Sequence, residues 1–291
     1  MMKTKSILYI LSFAVIFFTS CKKSFLDKQP DDMLTLDQVF SNKINTEEYL
    51  ANVYSYIPDE GNADNFNLTS ASDEAKFSWN GIPAYNINMG NWGPTNVPYN
   101  VWNKYYRGIR SASVFISRVD ECVEISIDLR SKYKAEARVL RAYYYHLLMR
   151  QYGPVVLMRD IIPVDASPED IQVGRNAYDE CVSYIVSELD IAMESLPSKT
   201  TDRNQVGRAD QLIANAIKSK VLLYAASPLF NGNPLYANFR NQDGSVLISQ
   251  SYDVSKWKDA ADAAKKVIDL MPDGLYKKFA ANGQLDPLSS Y

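Results

Sequence analysis

The stretch EARVLRAYYYHLLMRQYGPVVLM, residues 136–158, decides the fold. From Val139 to Met149 it is apolar on nearly every side of a helix. Such a helix must be covered by neighbours on several sides, so it belongs at the centre of a helical assembly. Gly153-Pro154 ends it, because glycine adopts the backbone on which helices finish and proline cannot continue the ladder. Residues 155–158 follow as a short extended run. The helical pattern reaches back to about Ser131.

Working outward, amphipathic helices flank this centre on both sides. In residues 102–123, Trp102, Tyr105, Tyr106, Ile109, Ala112, Ile116, Val119 and Val123 recur every three or four positions, with Arg107, Arg110, Arg118 and Glu121 largely between them. That is one apolar stripe. Downstream, Asn176 is placed to cap a helix whose stripe is Val182, Ile185, Leu189, Ala192 and Leu196, and Pro197 stops it. Further helices are expected over 209–226, before Ser227-Pro228, and over 255–271, before Pro272. Upstream, Thr35 with Gln38 marks a short helix start, and Thr46 is the expected cap of a helix over 47–56. Ala260, Ala264, Val267, Leu270 and Pro272 have the spacing of the second helix of a tetratricopeptide repeat. Strand signals are scarce. The expected class is all-α: a tetratricopeptide-like superhelix of helical pairs with long irregular loops and little strand.

Residues 61–101 break the pattern. Nine asparagines fall in these 41 positions, with Gly61, Gly81, Gly90, Gly93, Pro83, Pro94 and Pro98. No long helix survives that composition, and structured loops of this length usually carry function.

The N-terminus reads as an export signal. Lys3 and Lys5 precede an apolar run over residues 7–18, then Thr19-Ser20 and Cys21. Small residues directly before a cysteine resemble the bacterial lipobox, in which that cysteine is lipidated. The expected organisation is a lipoprotein signal peptide over 1–20, a lipid-anchored tether over 21–31 and a helical-repeat domain over 32–291. Residues 1–20 hold two lysines and no acid, so their removal makes the net charge of −3 more negative by two. That balance offers nothing for phosphate neutralisation and argues against nucleic acid as a partner. Cys122 and Cys181 fall within amphipathic patterns, where a cysteine is usually a small buried hydrophobe, so they are expected unpaired.

Several segments, in order along the chain, resemble the RagB/SusD family of surface nutrient-binding lipoproteins of Bacteroidetes. Ser20-Cys21 followed by Phe25-Leu26-Asp27 and Pro30 looks like the family's start, and YRGIRSA (106–112) resembles its first helix. Residues 136–158 are the most specific match. VGRADQLIANAIKSKVLLYAASPLFNG (206–232) and WKDAA (257–261) follow in the expected order. The resemblance implies a tetratricopeptide-like scaffold and a non-enzymatic role. That role is to hold a glycan or another oligomer at the outer membrane, anchored by lipid such as palmitate, for a SusC-like TonB-dependent transporter. Family members are usually longer. The stripe of 255–271 lacks a following partner helix in the polar tail, so the expectation is an N-terminal part of a longer protein.

No G-x-S-x-G, P-loop, G-x-G-x-x-G or H-E-x-x-H motif is present, and no cofactor is expected. The single histidine, His146, excludes metal sites built on two histidines and reads as packed within YYYHL. The alternative function is an exported α-helical glycosidase or lyase working through carboxylates, for which 34 acids offer many pairs. Asp73-Glu74 is the acidic pair nearest the aromatic segment. Arg138 and Arg141 are expected to make internal ion pairs or reach water. Binding is expected in 61–101. An exposed tryptophan or tyrosine stacks on the C–H face of a sugar, and asparagine, both donor and acceptor, matches its hydroxyls. Trp79, Asn80, Trp92, Asn96 and Tyr99 are the candidate ligand residues. The same aromatics would equally serve as the loop's own small core. Trp102 reads as core.

Overall fold

A computed structural model describes residues 34–59, 68–78, 81–271, 279 and 282–284. The chain divides into two units, Met1–Val39 and Phe40–Tyr291. In the first, the Thr35 hydroxyl accepts from the Gln38 amide while Gln38 Oε1 accepts from the Thr35 amide at 2.8 Å, a reciprocal cap that opens helix α1 (Leu36–Ser41).

The second unit is built from α2 (Lys43–Tyr54), α3 (Pro83–Asn88), α4 (Trp102–Arg118), α5 (Ile127–Tyr152), α6 (Pro168–Ile171), α7 (Tyr178–Met193), α8 (Gln211–Ala226) and α9 (Ser255–Asp269). Among the described residues there is no strand, only isolated bridges Gly93–Asn96 and Arg240–Val246. The class is all-α, as the periodicities require.

Several ends differ from the expected ones, each for a local reason. Asn42, not Thr46, caps α2 by accepting from the Asn45 amide, while the Thr46 hydroxyl turns back to the Asn42 carbonyl at 2.8 Å. Ser126 caps α5 a full turn before Ser131. Asn176 stays outside α7, and its Oδ1 accepts from the Leu157 amide at 2.9 Å. After Arg118 the chain tightens to a 3₁₀ turn, Val119–Glu121, where Glu121 takes the Arg118 guanidinium.

Successive helices pack as antiparallel pairs. Along α4 and α5, Trp102 meets Tyr152, Tyr105 stacks on Tyr144 with ring centres 5.9 Å apart, and Asp120 reaches Lys134. Gly108 makes that approach possible: a Cβ there would lie 2.9 Å from the Tyr144 ring. On the other side of α5, Arg138 and Arg141 both reach Glu188 of α7, at 2.9 and 2.5 Å. Glu188 and Arg141 are buried. The two arginines of the central helix are therefore joined by one carboxylate. α7 and α8 are tied by Gln211 to the Met193 and Leu196 carbonyls, and by Lys218 to Asp190. α9 packs on α8, with Ala260 buried, while Trp257 and Ile268 are 40% and 65% exposed.

The extended run after α5 carries no strand partner. Asn176 holds residues 155 and 157, its amide donating to the Val155 carbonyl at 2.9 Å and its Oδ1 taking the Leu157 amide, and two tyrosines hold the other residues. The Tyr106 hydroxyl donates to the Val156 carbonyl at 2.8 Å and accepts from the Val156 amide at 3.0 Å. The Tyr145 hydroxyl accepts from the Met158 amide at 2.7 Å.

Candidate functional site

The described residues between α2 and α4 are tied together by local hydrogen bonds. Pro83 takes the first position of α3, where its missing N–H is not needed. The Tyr85 hydroxyl donates to the Phe77 carbonyl, and Asn88 Nδ2 donates to the Ser70 carbonyl at 3.0 Å. Residues 93–96 close a tight turn in which the Gly93 amide donates to the Asn96 carbonyl and the Asn96 amide to the Gly93 carbonyl. Asn96 Nδ2 donates to the Asn91 carbonyl, and Asn91 Nδ2 to Asn86 Oδ1. Each amide thus gives one N–H to the loop, and both side chains remain exposed.

Of the sequence-selected residues, Trp92 and Asn96 share this turn. Trp92 is 61% exposed, so its ring is not the loop's own core. Tyr99 is half-buried and sits at φ 54°, rare for a residue with a side chain. Its carbonyl accepts from Gln151 Nε2 at 2.8 Å, which moors the loop to the end of α5. Trp79, Asn80 and Cys21 lie outside the described residues.

The other candidates resolve as structure. His146 is buried edge-on against Tyr224, and burial pulls its pKa down to about 3, so it is a neutral packed ring at physiological pH. Cys122 and Cys181 are free and buried, and burial pushes the Cys181 thiol up to about 11. Asp73 and Glu74 lie on an exposed bend.

One feature was not legible beforehand. A cleft of about 620 Å³ opens between α4 and the segments around residues 156–162 and 171–173. Tyr106 and Arg110 span it, Arg110 Nη1 donating to the Ile162 carbonyl at 2.8 Å. Ile109, Val156 and Met158 line it, with exposed Ile161, Ile171 and Val173 at the rim. Trp102, expected in the core, is half-buried at this cleft. Its ring is engaged by Tyr106, Tyr152 and the Arg175 guanidinium, so little of it remains for stacking. Asp160 is the one carboxylate among the lining residues, where glycoside hydrolysis uses two. The cleft forms only when residues far apart in the chain meet. The signal available in sequence was that Arg107 and Arg110 fall on one helical face with Trp102, Asn103 and Tyr106.

The model of the SusD-like family described as "Starch-binding associating with outer membrane" matches residues 24–223. A SusD-like protein of Bacteroides ovatus is 24% identical over 268 residues, covering 85% of this chain and 43% of that protein. Among solved structures, BT4246 superposes with a TM-score of 0.71 at 31% identity, covering 80% of this chain and 40% of that one. A laminarin binding SusD-like protein superposes at 0.60 with 20% identity, covering 84% and 46%, a likeness of fold alone. The chain spans about two fifths of the length of the first two relatives.

Proposed function

The chain belongs to the SusD-like family, and on that premise we propose that it is a lipoprotein of the outer-membrane surface that binds an oligosaccharide and hands it to a SusC-type TonB-dependent transporter. The observation that carries the reading is Trp92. A large aromatic ring is held in solvent beside a turn closed by backbone bonds between Gly93 and Asn96 and braced by the Asn96 side chain. A preorganised ring loses little freedom when a sugar stacks on it, so more of the stacking energy appears as affinity. Trp79 and Asn80, from the same segment of the sequence, are further ligand residues in this reading. Residues 1–20 direct export, lipid on Cys21 holds the tether of 21–31 to the membrane, and the domain from residue 32 presents the loop.

Two measurements test this. Trp92→Ala is expected to weaken binding of the cognate oligosaccharide roughly tenfold or more, with the melting temperature unchanged. A variant that melts early and binds normally would place the ring in the fold rather than the site. Cys21→Ala is expected to move the protein from the membrane to the soluble fraction, because several acyl chains anchor firmly where an apolar side chain does not. Retention of that variant in cells lacking the transporter would remove the anchor from the account.

A further inference from the structure

We propose that the cleft beside α4 is a second ligand site, which takes an acidic sugar unit, a uronate, of an oligosaccharide. Its volume of about 620 Å³ falls within the range of small-molecule sites, about 300–1,000 Å³. Its aliphatic lining, Ile109, Val156 and Met158, suits the C–H face of a sugar ring. Its polar groups are uneven in charge. Arg107 and Arg110 lie one turn apart on α4, and both line the cleft. Among the described residues neither has a carboxylate within ion-pair distance. Arg118, Arg138, Arg141, Arg159 and Arg208 are each matched with one. Arg110 is held in place by the Ile162 carbonyl, which leaves further N–H groups of its fork unspent. Arg107 is exposed and has no polar partner among the described residues. Against these two positive charges stands the single carboxylate of Asp160, and Asn103 adds a neutral donor and acceptor. The lining therefore has an excess of positive charge inside a chain that is negative overall. Guanidinium forks recognise carboxylates in two-point geometry, which an ammonium cannot match. A sugar carboxylate matches these two guanidinium groups, and its ring hydroxyls meet Asp160 and Asn103.

The site is independent of the Trp92 loop, and one titration separates the two. The purified chain is titrated with trigalacturonate and with a panel of neutral oligosaccharides, using wild type, Arg107→Gln, Asp160→Asn and Trp92→Ala. Trigalacturonate is expected to bind wild type, to weaken roughly tenfold in Arg107→Gln, and to tighten in Asp160→Asn as the opposing charge is removed. It is expected to be indifferent to Trp92→Ala, and to weaken as NaCl is raised to about 0.5 M. Absence of trigalacturonate binding, equal binding by wild type and Arg107→Gln, or weaker binding by Asp160→Asn would each overturn the cleft assignment. Loss of trigalacturonate binding in Trp92→Ala alone would move the acidic sugar to the loop. Neutral sugars bound through Trp92 without any uronate binding would leave the loop reading standing and remove the cleft. Uronate bound through Arg107 with no neutral ligand would do the reverse.

Discussion

Glu188→Ala should unfold the chain at markedly lower denaturant. Glu188 is 7% exposed and accepts from both Arg138 and Arg141, and the Arg141 guanidinium is equally enclosed. Removing the carboxylate leaves two cations side by side on α5 with no counter-charge from α7, one of them buried. Breaking a buried pair from one side costs about 3–5 kcal/mol, most of it the desolvation of the charge left behind. For a domain of this size that is a fall in melting temperature of roughly 10 °C. Arg138→Ala should cost less, because Arg138 is partly exposed and its loss leaves Glu188 its pair with Arg141. Urea denaturation followed by circular dichroism checks both. Equal and small effects would mean that water reaches Glu188 freely.

The second large effect lies at Gly108. Replacing a mid-helix glycine by another residue ordinarily stabilises a helix by about 0.5–1 kcal/mol. Here the sign is expected to invert. A Cβ would stand 2.9 Å from Tyr144 Cδ2 and 3.1 Å from Tyr56 Cβ. Tyr144 has no room to give: its ring is fully buried, stacked on Tyr105, and its hydroxyl is bound to the Val53 carbonyl. Gly108→Val should therefore destabilise by about 1–3 kcal/mol or more through overpacking, and Gly108→Ala by less. A stabilised Gly108→Ala would show that α4 and α5 can separate without loss.

The helices were legible where a single face carries the signal. The stripe on α4 and the all-apolar turn of α5 follow from spacing alone, since a helix shows its environment in its period. Helix ends were less legible, because a cap is chosen by the loop that precedes it. Asn42 and Ser126 won over Thr46 and Ser131, and Asn176 was recruited by the Leu157 amide. Within the site, Trp92 is exposed, and the asparagines beside it each give one N–H to the loop, Asn96 to the Asn91 carbonyl and Asn91 to the Asn86 side chain. Composition cannot tell a side chain that waits for a ligand from one that is already bonded within the loop. Trp102 shows the converse. Its place on a stripe argued for core, yet the stripe's edge is where the cleft opens. Arg138 and Arg141 were expected as an internal ion pair or a route to water, and their shared partner on α7 lies 47 to 50 residues away, beyond any local rule.

The tyrosines that hold residues 156 and 158 bear on how this sequence can drift. Similarity tables treat tyrosine and phenylalanine as near-equivalents, since the rings share size and shape. At Tyr106 that equivalence fails, because one phenolic oxygen serves both an amide and a carbonyl of the same residue. A phenylalanine would fill the space and orphan two backbone groups at once, a double desolvation debt. Tyr145, bonded to the Met158 amide, is under the same constraint. In this fold the hydroxyls take the backbone groups of Val156 and Met158, while the neighbouring Asn176 takes those of Val155 and Leu157. Part of the excess of 20 tyrosines over 11 phenylalanines is therefore a record of architecture rather than of ligand binding.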